Sequence, residues 1–219
     1  MQTITSRDWK AILIIGAGVG LLVQPLVANL WPVISLPFRV VISLGFMVLS
    51  VSIPLQVVIF LGFAVLAPVA LWIAAMLTRW LPGIFQFAKF AAVGTLNSFV
   101  DLGVLNLQIW FFGGTAGLAY GVYKSVSFVV ANANSFVWNK HWTFNEKKPT
   151  TGREALLFYL VAAAGWAVNV AVASVVVNYV AAPTSIAPKL WANIGAILGM
   201  VFSLAINFLG YKYLVFKEK

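Results

Sequence analysis

Two residues of opposite charge, Asp101 and Lys124, stand inside long hydrophobic runs of this 219-residue chain. Asp101 is the sole charged residue between Lys89 and Lys124, and the next charge after Lys124 is Lys140. An ion in the hydrocarbon of a bilayer is costly, so such residues usually face the interior of a helical bundle and mark a function. The pair is suited to binding an anionic group or to carrying a proton.

The two residues are predicted to lie at similar depth. Asp101 stands about twelve residues before the Gly113-Gly114 connection, and Lys124 about ten residues after it. With a rise of roughly 1.5 Å per residue, the side chains would be almost level across a helical hairpin. A purely structural ion pair between the helices is the competing interpretation.

Composition assigns the chain to the integral membrane proteins. Hydrophobic residues make up 62% of it and charged residues 9%, whereas soluble domains carry roughly 25% charged residues. A spanning helix needs about 20 apolar residues, and runs of that length or more lie at 11–30, 40–78, 87–112, 115–139, 155–181 and 187–211. The net charge of +9 falls in loops and ends, which favours a topology signal over nucleic-acid binding.

Positive charges predict the orientation. Lysines are concentrated in 140–154 and 212–219, and Arg79 and Lys89 lie around the start of the third run. Because basic loops stay in the cytoplasm, the last four runs should form two hairpins of a multi-pass protein in the cytoplasmic (inner) membrane, with a cytoplasmic C-terminus. For 40–78 we expect one long, broken helix and six spans in total; two short helices and seven spans are the alternative.

The two hairpins resemble tandem repeats. A shift of 72 positions aligns Asn97 with Asn169, Lys140 with Lys212 and Phe144 with Phe216. Asp101 and Lys124 both fall on alanines under the same shift, so the charged pair belongs to one hairpin, which favours a function. Glycines such as Gly94 and Gly199 are expected to allow close packing of helices.

Several stretches resemble a known family. Residues Phe87 to Asp101 resemble the opening motif of the GtrA-like membrane proteins, and Asn134 to Phe144 resemble that family's second-helix exit. With the final exit, Asn207 to Phe216, the resemblance covers about 87–217. It implies an all-α integral membrane fold, in which 81–219 form a four-helix domain of two tandem hairpins. Residues 1–80 would add an N-terminal hydrophobic region with two or three membrane helices.

The resemblance also implies a function in the synthesis of cell-surface polysaccharides. The usual proposal for the family is translocation, or flipping, of a polyprenyl-phosphate-linked sugar to the outer leaflet. The implied partners are that lipid and the bilayer, together with a membrane glycosyltransferase and a second copy of the chain as candidates. Two alternatives stay open: a non-transporting protein that recruits or stabilises a glycosyltransferase, and a small cation or drug exporter.

The predicted substrate-binding residues are Lys124, Asp101, Asn97, Asn132, Asn139 and Lys140. Lys124 would bind the phosphate as a compact cation, while Asp101 would hold Lys124 beforehand or carry a coupling proton. The asparagines would meet sugar hydroxyls, although hydrogen bonds that join helices are a simpler role for them. Lys140 would receive the headgroup at the cytoplasmic exit, or act only as a topology signal.

No catalytic site is expected. The chain has no cysteine and one histidine, which gives a metal site little support, and no cofactor is predicted. The largest segment outside the predicted membrane spans has about fifteen residues, too few for a catalytic domain. We therefore expect a protein that is not an enzyme.

Overall fold

The computed structural model describes residues 2–24, 39–44, 47–52, 55–113, 117–180 and 188–216. Within these ranges lie the helices α1 Ser6–Leu22, α2 Leu55–Leu77, α3 Ile84–Phe112, α4 Gly117–Trp138, α5 Gly152–Tyr179 and α6 Pro188–Gly210. Two short strands, β1 Arg39–Leu44 and β2 Met47–Ser52, pair antiparallel between α1 and α2. The chain divides into two compact units, Met1–Trp138 and Asn139–Lys219.

The fold class is the predicted one. Within the described residues, the segments long and apolar enough to cross a membrane are Val57–Leu77, Ile84–Ile109, Gly152–Val176 and Ile197–Val215. Their mean hydropathy lies between 1.3 and 2.6, which is what hydrocarbon around a helix selects. The chain is an all-α integral membrane protein that crosses the bilayer several times, with one small β-hairpin ahead of α2.

Helix α1 begins at a capping box and buries one apolar face. Thr5 Oγ1 accepts a hydrogen bond from the Asp8 amide at 3.2 Å, and Asp8 Oδ2 accepts one from the Thr5 amide at 3.0 Å. Each side chain satisfies a backbone donor that the first turn of a helix leaves open. Ile12, Ile15 and Val19 then follow at helical spacing and are at most 2% exposed, because they form the face that packs inside the first unit.

The prediction for residues 40–78 is wrong over its first part. Residues 39–44 and 47–52 form the two strands, and a single helix begins at Leu55. The strand segments are rich in valine and isoleucine, whose β-branched side chains favour extended pairing. Hydrophobicity alone cannot distinguish a strand from a buried helix in such short runs. Pro68 lies inside α2, a position that membrane helices tolerate.

Helices α1 and α2 run antiparallel. The Gln2 amide donates to the Ala75 carbonyl at 3.2 Å, so the N-terminus lies beside the end of α2. At the other end of α1, a Cβ on Gly20 would come within 3.0 Å of the Phe60 backbone, and glycine is what permits this approach. The start of α1, the end of α2 and the start of α3 therefore meet at one end of the first unit. The six-span interpretation requires these three helix ends to lie on the same side of the membrane.

Helices α5 and α6 contact each other through reciprocal asparagine–glycine pairs. A Cβ on Gly199 of α6 would lie 2.5 Å from the Asn169 carbonyl oxygen on α5, and one on Gly165 of α5 would overlap the Asn207 side chain on α6. The predicted close packing at Gly199 is confirmed. At Gly94 it is wrong, because no atom lies within 4 Å of the position that a Cβ would take.

The predicted repeat is visible in the backbone. Each hairpin ends in a five-residue π-helical turn, one at Asn139–Thr143 and one at Tyr211–Val215, and the two turns stand 72 positions apart. In both, the amide of the phenylalanine after the turn donates to the carbonyl of the turn's first residue at 2.8 Å. Because π-helical turns are rare, two at equivalent positions support a tandem repeat.

Replacing Gly199 with alanine should destabilise the second unit, because the new Cβ would press on the Asn169 carbonyl and force α5 and α6 apart. Overpacking of this kind costs on the order of 1–3 kcal/mol. The matched control is Gly94→Ala, where the Cβ enters open space and alanine favours the helix by about 1 kcal/mol. Thermal unfolding of the full chain in detergent measures both changes. Equal melting temperatures for the two variants would contradict the close contact.

Candidate functional site

Asp101 on α3 is joined to α4 by a hydrogen bond that was not predicted from the sequence. Ser127 Oγ donates to Asp101 Oδ1 at 2.6 Å. Ser127 has no exposed surface, whereas Asp101 is half-buried. A hydrogen bond to a carboxylate is short and stronger than one between neutral groups, so this contact joins the two helices of the first hairpin.

Lys124 stands on α4, three residues before Ser127. The residue level with Asp101 is therefore Ser127, and Lys124 comes about 4.5 Å earlier along the helix axis. The Lys124 side chain lies outside the described part of the structure, so its predicted contact with Asp101 stays a prediction. A hydroxyl residue one turn from Lys124 was the signal in the sequence that could have pointed to Ser127.

Further polar side chains continue along the same hairpin. Among the described residues, the buried Oδ1 of Asn97 and the buried Nδ2 of Asn134 have no hydrogen-bond partner. Gln108 Nε2 on α3 donates to the Tyr123 carbonyl on α4 at 3.1 Å. We name Asn97, Asp101, Gln108, Ser127 and Asn134 the polar seam. Buried polar atoms that lack a partner are costly, so a polar ligand would be stabilised by meeting them.

Asn132, another predicted site residue, is buried on α4. Its Nδ2 donates to the Phe128 carbonyl of its own helix at 2.9 Å. This bond satisfies one donor of the amide group within the helix. Asn132 is therefore a weaker candidate for sugar contact than Asn97, whose carboxamide oxygen is left over.

Asn139 and Lys140 belong to the second unit, where they open the first π-helical turn. Lys140 is 1% exposed, and its Nζ donates to both carboxylate oxygens of Glu154, at 2.8 and 2.7 Å. Glu154 also completes the capping box of α5 with Thr151. Asn139 is fully buried. Lys140 is thus held in a buried ion pair and is not presented at the surface of its unit.

Aromatic rings pack around the two π-helical turns of the second unit. Phe158 stacks on Tyr211 with ring centroids 4.2 Å apart and planes at 9°, and Phe144 stacks on Phe216 at 5.0 Å. All four rings are at most 5% exposed. The stacking of parallel rings adds to the burial of apolar surface, and this cluster fixes the ends of both repeats against α5.

Lys89, at the opening motif, forms an ion pair with Asp8 on α1, and their side chains are 13% and 6% exposed. Its ammonium also lies 4.7 Å from the centre of the Phe85 ring. Burial raises the pKa of Asp8, but the hydrogen bonds with Lys89 and Thr5 outweigh this effect and hold the pKa of that carboxyl below its usual value. From the sequence, Lys89 was interpreted as a topology signal within the opening motif, and its pairing with Asp8 was not predicted.

These features define a polytopic α-helical membrane protein with two tandem hairpins and a polar seam in the first. Residues 89–216, well over half of the chain, match the model of the GtrA/DPMS transmembrane domain. The chain belongs to this family, which confirms the resemblance seen in its motifs and places it among membrane proteins of glycosyl-lipid processes. It is also 27% identical over 135 residues to the uncharacterized membrane protein YngA of Bacillus subtilis (strain 168), covering 62% of this chain and 82% of YngA.

Breaking the Lys140–Glu154 pair from one side should destabilise the second unit by roughly 3–5 kcal/mol, because a buried charge then loses its counter-ion. Lys140→Met removes the counter-ion of the Glu154 carboxylate. Glu154→Gln removes the counter-ion of the Lys140 ammonium but keeps a residue able to complete the capping box. Thermal or denaturant unfolding of the full chain in detergent measures the loss.

Lys148→Met is the matched control for this pair. Lys148 is 64% exposed and 3.9 Å from Glu146, so its removal should change stability by no more than about 0.5 kcal/mol. If the Lys140→Met and Lys148→Met variants unfolded at the same temperature or denaturant concentration, the buried pair would contribute nothing to stability.

Proposed function

We propose that this protein translocates a polyprenyl-phosphate-linked sugar across the cytoplasmic membrane, with its C-terminus in the cytoplasm, for the synthesis of cell-surface polysaccharide. The observation that supports this function best is the polar seam, which places a carboxylate, a hydroxyl and carboxamides along one membrane hairpin. The protein would not itself be an enzyme and would act on a lipid made by a separate glycosyltransferase.

Translocation requires a polar headgroup to pass through about 30 Å of hydrocarbon, where unpaired polar groups are costly. The polar seam offers groups that can replace water. The Asn97 oxygen accepts hydrogen bonds and the Asn134 nitrogen donates them, and sugar hydroxyls do both. Helices α3 and α4 would thus stabilise the headgroup while the hydrocarbon tail stays in lipid.

Lys124 would bind the phosphate. It is the sole cation in the sequence between Lys89 and Lys140, and its ammonium suits phosphate as a compact point charge. The bond from Ser127 to Asp101 gives this step a physical basis. When Lys124 turns to the phosphate, Ser127 still donates to the carboxylate, so the charge of Asp101 is never left alone in hydrocarbon.

Recruitment or stabilisation of a glycosyltransferase is the second candidate function. The observation that favours it is the burial of Lys140, the residue expected to receive the headgroup, and of Asn139, which was expected to meet sugar hydroxyls. On this alternative the exposed part of the loop 140–154 would carry the activity, and the polar seam would serve only to join α3 to α4.

Replacing Lys124 with alanine, or Asp101 with asparagine, should slow translocation at least about tenfold, because a contact worth 1.4 kcal/mol in the transition state changes a rate by that factor. Ser127→Ala should slow it less, since Lys124 could still hold Asp101. The assay follows the accessibility of a polyprenyl-phosphate sugar to an external reagent in proteoliposomes that contain equal amounts of folded protein.

Ser98→Ala is the matched control for this series. Ser98 lies on the same helix as Asp101, is exposed, and donates to the Gly94 carbonyl of its own helix at 3.1 Å. Translocation that survives both charge substitutions would remove the pair from the transport path. Translocation no faster than in empty liposomes, combined with higher activity of a co-reconstituted glycosyltransferase, would select the recruitment function.

A further inference from the structure

The first unit contains an apolar cleft of about 400 Å³ that the polar seam does not use. It lies between α1, α2 and α3, where alanines leave the space: Ala67, Ala70, Ala88, Ala91 and Ala92. Among the described lining residues, Thr95 alone has a polar side chain, and its Oγ1 donates to the Ala91 carbonyl at 3.0 Å. The cleft has the size of a ligand site, and its lining suits an apolar ligand.

Cationic residues stand beyond one end of this cleft, which we call its cationic end. Its α1 wall begins at Ile12, one helical turn beyond Asp8 and its ion pair with Lys89. The start of α1, the end of α2 and the start of α3 meet there. The described residues of this end include four cations and one carboxylate. These residues are Arg7, Lys10, Arg79 and Lys89 against Asp8. A ligand with an apolar chain and an anionic head complements this arrangement of charge.

We propose that the cleft binds the hydrocarbon chain of a polyprenyl phosphate, with the phosphate at the cationic end. Along α1 the lining runs from Ile12 to Val19, a length of about 10 Å, which accommodates one segment of a single chain. A polyprenyl phosphate has one chain, whereas a phospholipid would have to place its second chain elsewhere. The proposal rests on the proposed function, since it concerns the same class of lipid.

The cleft would hold the lipid at the side from which its headgroup starts. On α3 the lining runs from Phe87 to Thr95, so a phosphate beside Lys89 would lie about 12 Å along the helix axis from Asn97, the first residue of the polar seam. A tail docked against α1 and α2 would keep its headgroup beside the start of α3, from which it would move along the helix and to another of its faces to reach the seam. Helices α1 and α2 lie outside the matched family domain, 89–216, so the cleft gives the N-terminal region a binding role that this domain alone does not provide.

The test measures binding of a long-chain polyprenyl phosphate to the full chain in detergent by native mass spectrometry. Ala67→Leu and Ala91→Leu each put a larger side chain into the cleft and should weaken binding about tenfold or more. Ala163→Leu, at an exposed alanine of α5, is the matched control and should bind as wild type does. Polyprenol, which lacks the phosphate, and phosphatidylglycerol, which has two chains, should both bind more weakly than polyprenyl phosphate.

Equal affinity of the wild type and both leucine variants would overturn the proposal, as would phosphatidylglycerol binding as tightly as polyprenyl phosphate. A measurement on the wild type alone does not depend on how the variants fold. A photoreactive polyprenyl phosphate should label peptides of α1 and α2, and labelling confined to α5 and α6 would also overturn it.

Translocation measured in parallel separates this proposal from the proposed function. Cleft-dependent binding without any translocation would retain the cleft and remove the translocase. Translocation by a protein whose affinity is unchanged in Ala67→Leu and Ala91→Leu would retain the translocase and remove the cleft.

Discussion

The structure depends on one constraint: a charge withdrawn from water has to be met by another polar group. Three contacts of this kind join separate elements of the described chain. They are Asp8 with Lys89, Asp101 with Ser127, and Lys140 with Glu154. The first joins α1 to α3, the second α3 to α4, and the third fixes the turn after α4 to the start of α5. Because hydrocarbon gives helices little hydrophobic reason to associate, such contacts specify which helices meet and at what height.

The two repeats share a backbone plan but join their helices differently. In the first hairpin, Ser127 donates to Asp101 at 2.6 Å. A shift of 72 positions puts glycine and alanine at the equivalent places, and there Gly199 lies directly against Asn169. Small residues bring two helices close enough for van der Waals contact, whereas a polar pair joins them through hydrogen bonds. The second hairpin therefore brings its helices together through small residues, and the first joins them through a hydrogen bond to a carboxylate.

The sequence predicted those features that depend on local patterns. Long apolar runs located the last four helices to within a few residues, and the spacing of Phe144 and Phe216 revealed the repeat that the π-helical turns confirm. Contacts between distant segments were not predictable. Finding that Ser127 donates to Asp101 requires the helix register to within one turn, and nothing near Lys89 in the sequence points to Asp8. The strands at 39–44 and 47–52 were not predicted, because a short apolar run has no period that distinguishes a strand from a helix.

Lys89 and Lys140 show why a topology signal and a structural contact need not exclude each other. Basic residues orient a chain during insertion, before its helices have packed. Once the helices meet, each of these lysines finds a carboxylate and the pair becomes neutral, so the same residue then fixes two elements together. Exposed cations such as Lys147 and Arg153 remain on the second unit, where they can attract an anionic lipid surface. The basic residues outside the apolar runs thus divide, after folding, into those that join two elements through an ion pair and those that stay exposed.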